Sequence, residues 1–386
     1  MSDPRISQIE YRDFSAKLHR HSFERERVIK AQLEITYRCN LHCRHCYTDC
    51  YNCPGKIKNE LTLGEIKRIL DEMAGEGILW LNLTGGEILM RKDFFDIYDY
   101  AYDLGFILTL FTNGTLLTDK IIARLKKRPP FFIDVSCHSV REDAFDWFTK
   151  TRGSFQRFSK GIQLLKESGL PFYLKTKAMN WNLSELSDIR HFFESFGLVF
   201  DYTTTLYPTL NGDLAPLQFR LSPEVISNLE AFDLDTSCTG RKASTGKPAT
   251  DQLYRCLCAT NMIHINAFGE LGTCTQEYEV RASLKEYSLK TAIEHVFPAV
   301  RSLKYESDSP CRDCNLYLFC QKKPTSARLE TGDAKSPVPY YCDLAYNLAK
   351  KVTDSEIEHP LQGGGTHNGK EKTLHLSQNI PGGIEP

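Results

Sequence analysis

Residues 33–47 read LEITYRCNLHCRHCY. The first half alternates Leu33, Ile35 and Tyr37 with Glu34, Thr36 and Arg38, the period-two pattern of a strand. The second half carries Cys39, Cys43 and Cys46 in the spacing C-x3-C-x2-C, with Tyr47 directly after the last. Three thiolates this close can hold three corners of a 4Fe–4S cube and leave one iron open to an outside ligand. Clusters that only carry electrons are usually closed by four cysteines. A zinc knuckle completed by Cys50, Cys53, His42 or His45 is the other chemistry open to these residues.

Working outward, the chain has 386 residues, enough for two or three domains and a substantial core. Its 41% hydrophobic and 25% charged content is that of an ordinary soluble globular protein. A net charge of −1 without a polybasic block argues against nucleic acid as a partner. The N-terminus, MSDPRISQIEYRDFS, lacks the apolar core of a signal peptide. The longest apolar runs, 78–83 and 106–111, are strand-length and far too short to span a bilayer. The expectation is therefore a cytoplasmic protein with no membrane partner. Fourteen cysteines in that compartment argue against disulfides, because thiols there stay reduced. They gather at 39, 43, 46, 50 and 53 and again from 256 to 342, and clustering of this kind points to metal or iron–sulfur ligation.

From Leu33 the chain alternates short apolar runs with amphipathic stretches, the sign of βα units and a parallel sheet. The strands expected are 33–37, 78–84, 106–111, 131–136, 171–178 and 199–205. Helices are expected near 63–76, 93–104, 118–127, 141–150, 155–168 and 184–196, with Thr62, Thr118 and Ser184 as candidate N-caps. Right-handed crossovers would wind the six units into an α/β partial barrel with its site at the C-terminal strand ends. Residues 1–32 carry only weak patterns, and His19–His21 read as solvated. Past about 207 the alternation breaks into a bridging region, 208–255, with one helix near 223–232 and a soft Ser/Thr/Gly/Lys-rich stretch at 237–250. A cysteine-rich region fills 256–345. From about 355 the tail is Gly-rich and polar, the composition of a disordered segment.

The C-x3-C-x2-C loop after a first strand resembles the signature of the radical S-adenosylmethionine (SAM) enzymes. That resemblance implies a SAM-binding 4Fe–4S cluster on Cys39, Cys43 and Cys46, with SAM chelating the open iron. Reductive cleavage of SAM would then give a 5′-deoxyadenosyl radical that abstracts hydrogen from an unactivated carbon. Thr84-Gly85-Gly86-Glu87 at the second strand end matches the family segment that binds the SAM amino group, with Ile88 where a proline is usual. The glycines would let the backbone approach a ligand and Glu87 would accept from its ammonium. Asn113 in Thr112-Asn113-Gly114 resembles a further SAM-side segment, and its alternative is a plain strand-to-helix turn. Ser136 at the fourth strand end matches the ribose-contacting position, and His45 falls where an aromatic packs on adenine. Cys137 and His138 read as packed or solvated, Lys175 and Lys177 as structural pairing on one strand face, and no catalytic acid or base is assigned.

The second cysteine region reads Cys256-x-Cys258, Gly269-x4-Cys274, Cys311-x2-Cys314-x5-Cys320 and a late Cys342, with 263–274 reading as a hairpin turning at Gly269. This resembles the SPASM domain that follows many radical SAM barrels and holds auxiliary iron–sulfur clusters. The resemblance places Cys311, Cys314, Cys320 and Cys342 on an outer auxiliary cluster, and Cys256, Cys258 and Cys274 on an inner one. A fourth inner ligand is expected at position 324, where Pro324 stands. Cys238 could substitute, or the inner cluster could be open, smaller or absent. A zinc ribbon is the bland alternative for the region. Cys50 and Cys53 remain unassigned.

Together these features lead us to expect a radical SAM/SPASM oxidoreductase with one or two auxiliary clusters and an external electron donor. By family analogy its substrate would be a ribosomally made peptide or protein, crosslinked or oxidised, with a separate leader-recognition partner since 32 residues before the barrel are few for such a domain. The alternatives are a small molecule such as a tetrapyrrole and, remotely, a non-catalytic zinc-binding protein.

Overall fold

The computed structural model describes residues 10–48, 54–233, 251–256, 259–306, 308–352 and 357–361. Its helices are α1 (Tyr11–Glu24), α2 (Pro54–Ile57), α3 (Leu63–Gly75), α4 (Phe94–Asp103), α5 (Asp119–Lys127), α6 (Glu142–Thr149), α7 (Ser154–Ser168), α8 (Leu186–Glu194), α9 (Pro223–Asp233), α10 (Leu289–Ser302), α11 (Pro324–Thr331) and α12 (Pro339–Val352). Its strands are β1 (Lys30–Thr36), β2 (Trp80–Gly85), β3 (Ile107–Thr112), β4 (Phe132–Ser136), β5 (Phe172–Lys177), β6 (Tyr202–Thr203), β7 (Met262–Ile265), β8 (Glu270–Gly272) and β9 (Ala282–Ser283).

These strands form one nine-stranded sheet in the order β6-β5-β4-β3-β2-β1-β7-β8-β9. The pairs from β1 to β6 are all parallel, as the βα alternation requires. Alternation along each strand sorts its side chains. Leu33, Leu83, Leu110, Val135 and Leu174 join Ile66, Leu70, Ile97, Phe158 and Leu165 from the helices in one buried cluster. Each such side chain contributes about 2 kcal/mol by leaving water. The intervening positions, among them Glu34, Thr84, Asp134, Ser136, Lys175 and Lys177, therefore face the inside of the curved sheet.

Local signals explain the element starts. Thr62 accepts from the Glu65 N–H at 3.3 Å while its own N–H donates to Glu65 Oε2 at 2.7 Å, a complete capping box. Thr118 caps α5 at 3.4 Å. Ser184 does not cap: a 3-10 turn, Leu183–Glu185, leads into α8, which has no side-chain cap. The sixth strand is two residues rather than the seven expected, and pairs only with Thr176 and Lys177.

Four features lie outside the sequence expectations. The weakly patterned N-terminus forms α1, and His19 stacks on Trp80 with ring centroids 4.6 Å apart rather than facing solvent. The expected hairpin exists as β7–β8, with Gly269 at φ +88°, but β7 also pairs in parallel with β1, so the cysteine-rich region continues the barrel sheet. Helices α10–α12 complete that region. Of the tail, His359 bonds Asp343 at 2.8 Å, so 357–361 rest on α12. The stretch 237–250 and the tail beyond 361 lie outside the described residues.

Candidate active site

β1 ends at Thr36, and the loop that follows is pinned by the C-terminus of α6. Helix ends leave carbonyls without intrahelical partners. Here the Thr149, Phe148 and Trp147 carbonyls accept from His42 N–H (3.0 Å), Arg44 N–H (3.0 Å) and Arg44 Nε–H (3.0 Å). The Arg44 guanidinium lies 4.4 Å over the Trp147 ring. Within the loop, Cys46 N–H bonds the Cys43 carbonyl at 3.1 Å. Burial pushes the Cys39 thiol up to about 12, with the charges of Glu87 and Cys46 adding to it. Burial likewise raises Cys43 well above the usual thiol range, and the charges of Cys46 and Cys39 add to the rise. Metal binding would take these groups as thiolates and release their protons.

The end of β2 closes over this loop. A Cβ on Gly85 would lie 2.3 Å from the Thr36 carbonyl oxygen, and one on Gly86 would lie 2.1 Å from that of Arg38. The glycines thus admit the chain leading into Cys39, where the sequence reading had them admitting a ligand. Glu87 is fully buried, and its carboxylate accepts from Thr112 Oγ1 (2.8 Å), Leu89 N–H (3.2 Å) and Asn113 N–H (2.7 Å). Burial raises its pKa and these bonds oppose the rise. Asn113 then reaches the loop itself, its Nδ2 donating to Asn40 Oδ1 at 3.0 Å. Gly85, Gly86, Glu87 and Asn113 therefore meet beside Cys39, while Ser136 sits opposite Lys175 at the β4 and β5 ends.

His45 packs against His138 (4.6 Å between centroids) and Phe148 (4.9 Å), and Phe148 stacks on Trp181 at 4.6 Å. His45 Nδ1, His138 Nδ1 and Trp181 Nε1 are buried with no hydrogen-bond partner among the described residues. Three unanswered nitrogens on an aromatic wall beside the cysteine loop fit a polar, planar ligand. Burial, followed by Lys177 and Lys175, pushes His138 down to about 3, so it is a neutral imidazole. Cys137 is packed as expected. Lys175 bonds Asp134 at 2.8 Å, and Lys177 bonds the Thr205 carbonyl at 2.9 Å with burial pushing it down to about 8. Phe148 and Trp181 carried no sequence signal; His138 stood only two residues beyond Ser136.

A buried chain that sequence reasoning missed joins the barrel to the second cysteine region. His264 Nε2 lies 3.1 Å from Glu34 Oε1, and its Nδ1 lies 3.3 Å from Arg281 Nη1. Arginine can only donate, so Nδ1 accepts and Nε2 carries the proton toward Glu34. Arg281 Nη2 continues to the Cys274 carbonyl at 3.1 Å.

In that region Cys342, on α12, is pushed up to about 12 by burial and then by the charges of Cys320, Cys311 and Cys314. Cys256 and Cys274 are half-buried. Cys258, Cys238, Cys50 and Cys53 lie outside the described residues. Pro324 opens α11 where the inner ligand was expected. Among the described residues no three His, Cys, Asp or Glu side chains converge as they would on a single ion. A multi-iron cluster is instead held at separate irons.

Residues 33–193 match the family model described as the Radical SAM superfamily, so the chain carries a radical SAM domain over those residues. Members of that superfamily use a 4Fe–4S cluster and SAM. The AdoMet-dependent heme synthase of Methanosarcina barkeri is 27% identical over 341 residues, 80% of this chain and 94% of that protein. The antilisterial bacteriocin subtilosin biosynthesis protein AlbA of Bacillus subtilis is 29% identical over 42% of this chain and 36% of its own. In fold the chain resembles Streptococcus suis SuiB, solved bound to its precursor peptide SuiA, with a TM-score of 0.63 at 15% identity, covering 87% of this chain and 82% of that one. The architecture is thus the mixed α/β partial barrel with the additional domain found in such enzymes. No helix among the described residues is long and apolar enough to cross a membrane.

Proposed function

We propose that Cys39, Cys43 and Cys46 hold the SAM-binding cluster and that the enzyme abstracts hydrogen from a ribosomally made peptide or protein, forming a crosslink or an oxidised side chain. The observation that carries the site assignment is the convergence of 85–87 and Asn113 on the loop bearing the three thiols. When bound, the cluster and SAM supply the 5′-deoxyadenosyl radical. The chain's residues orient SAM: the 85–87 backbone on its amino side, Ser136 toward its ribose, and the His45 and Phe148 rings beside its adenine. The buried Glu87 carboxylate braces the 85–87 backbone through Thr112, Leu89 and Asn113. Cys311, Cys314, Cys320 and Cys342 would hold an outer auxiliary cluster, and Cys256, Cys258 and Cys274 would hold an inner one. AlbA and SuiB support the peptide reading. An external reductant is required, and a separate leader-binding partner fits this reading.

A second reading, a tetrapyrrole substrate, is favoured by one observation: the heme synthase match spans 94% of that relative. Anaerobically reconstituted protein supplied with SAM and dithionite distinguishes them. A mass change in a short peptide encoded beside this chain supports the first reading; loss of mass from iron-coproporphyrin III with the peptide unchanged supports the second. Cys39→Ala should abolish 5′-deoxyadenosine formation, and wild-type-like formation by that variant would refute the cluster assignment.

A further inference from the structure

We propose that Lys322 raises the reduction potential of the outer auxiliary cluster. This rests on the reading that Cys311, Cys314, Cys320 and Cys342 hold a cluster. Lys322 Nζ lies 3.4 Å from Cys311 Sγ, within hydrogen-bond range of a sulfur. Its other acceptors among the described residues are neutral, the carbonyls of Ser336 (2.9 Å) and Lys335 (3.4 Å) and the Tyr305 hydroxyl, and no carboxylate among those residues forms an ion pair with it. The same ammonium acts on Cys320 and Cys342, so its field reaches three of the four thiols. A second cation, Arg255, bonds the Arg312 carbonyl at 2.6 Å and the Cys311 carbonyl at 3.3 Å, with its charge acting on Cys314. Tyr305 lies between the cations, 4.9 Å from the guanidinium and 5.4 Å from the ammonium.

Four thiolates leave no iron open, so this cluster can exchange electrons but cannot bind substrate. Reduction adds one electron and no atom, and makes the cluster one unit more negative. A cation and an N–H directed at sulfur both favour that reduced form, and net charge and sulfur hydrogen bonds are known determinants of cluster potential. Lys322 is half-buried, so solvent screens it less than a surface lysine.

The test titrates the reconstituted full-length chain carrying Cys39→Ala, Cys43→Ala and Cys46→Ala, so that auxiliary clusters alone respond, with dithionite and mediators, followed by EPR. At the wild-type midpoint, Lys322→Met should lower the ratio of reduced to oxidised cluster roughly tenfold, about 59 mV for a one-electron couple. Lys322→Gln, which keeps an N–H and loses the charge, should fall between, and Lys322→Arg should stay within about twofold of wild type. Unshifted potentials in the Met and Gln variants, with iron content intact, overturn the proposal. If Met costs iron, the Gln and Arg variants carry the comparison. The underlying reading fails separately, if Cys311→Ser and Cys342→Ser leave iron and sulfide per chain unchanged.

Discussion

At the scale of single residues the site is governed by space and by proton affinity. Gly86 is required because a methyl group there would press within 2.1 Å of the Arg38 carbonyl oxygen, backbone that cannot swing aside. Gly86→Ala should therefore displace the strand end from the cysteine loop at a cost of roughly 2–4 kcal/mol. Fewer irons per reconstituted chain and a lower urea midpoint are the expected results, and an unchanged iron count would show that the close approach is dispensable. His138 makes a pH prediction. An unfolded histidine titrates near 6.5, while burial holds the folded one to about 3, so between those values the unfolded state binds a proton that the native state refuses. Stability falls as pH drops through that window. From pH 7 to 5 this one group withdraws about 2 kcal/mol. Metal-free His138→Phe should lose correspondingly less stability than wild type when urea unfolding at pH 7 and pH 5 is compared. Equal losses would mean that His138 is not held neutral.

Elements were legible wherever a local cause decides them. The alternation at 33–37 and the Thr62–Glu65 capping box need only neighbours within one turn; α3 starts where the sequence put it, and β1 covers 33–36 but begins three residues earlier, at Lys30. The cysteine spacing works at the same range, so residues 39–46 could be read as one ligating loop. What stayed hidden depends on partners far along the chain. The N-terminal α1 has a mostly polar surface, and what engages it is Trp80, which donates to Tyr11 Oη at 2.9 Å from 69 residues away. The joining of β7 to β1 is a tertiary choice, since a hairpin pattern says which strands pair with each other but not which sheet edge they extend. Glu34 could have faced solvent on the same alternation; only His264, 230 residues on, makes it an internal acceptor. Glu87 shows the converse. Its place beside the loop was legible, while its engagement by Thr112 and Asn113 required the third strand to be laid next to the second.

For the whole molecule, the question is what ties the barrel to the helices that carry the last cysteine. Arg220, which follows the 3-10 turn Ala215–Phe219, forms two hydrogen bonds with Glu330 of α11, at 2.8 and 2.7 Å, and also reaches the Leu206 carbonyl (2.9 Å) and Tyr341 Oη (3.0 Å). Both side chains are only 8% exposed, so the pair is shielded from water and from salt. Ala178 of the barrel, Leu221, Ile226 of α9 and Leu344 of α12 bury a small apolar cluster beside it. Because a buried pair is costly chiefly when half of it is removed, Arg220→Met should destabilise by about 3–5 kcal/mol, whereas Arg220→Met with Glu330→Met should recover much of that loss. Cys342 sits two residues before Leu344 on the same helix, so loosening this joint should release iron from the outer set first. Cys39, Cys43 and Cys46 are pinned by α6 and should keep theirs. The Arg220→Met chain should then form 5′-deoxyadenosine at close to the wild-type rate while holding fewer irons. Parallel loss of both would mean that the barrel and the cysteine-rich region unfold as one cooperative unit through their shared sheet.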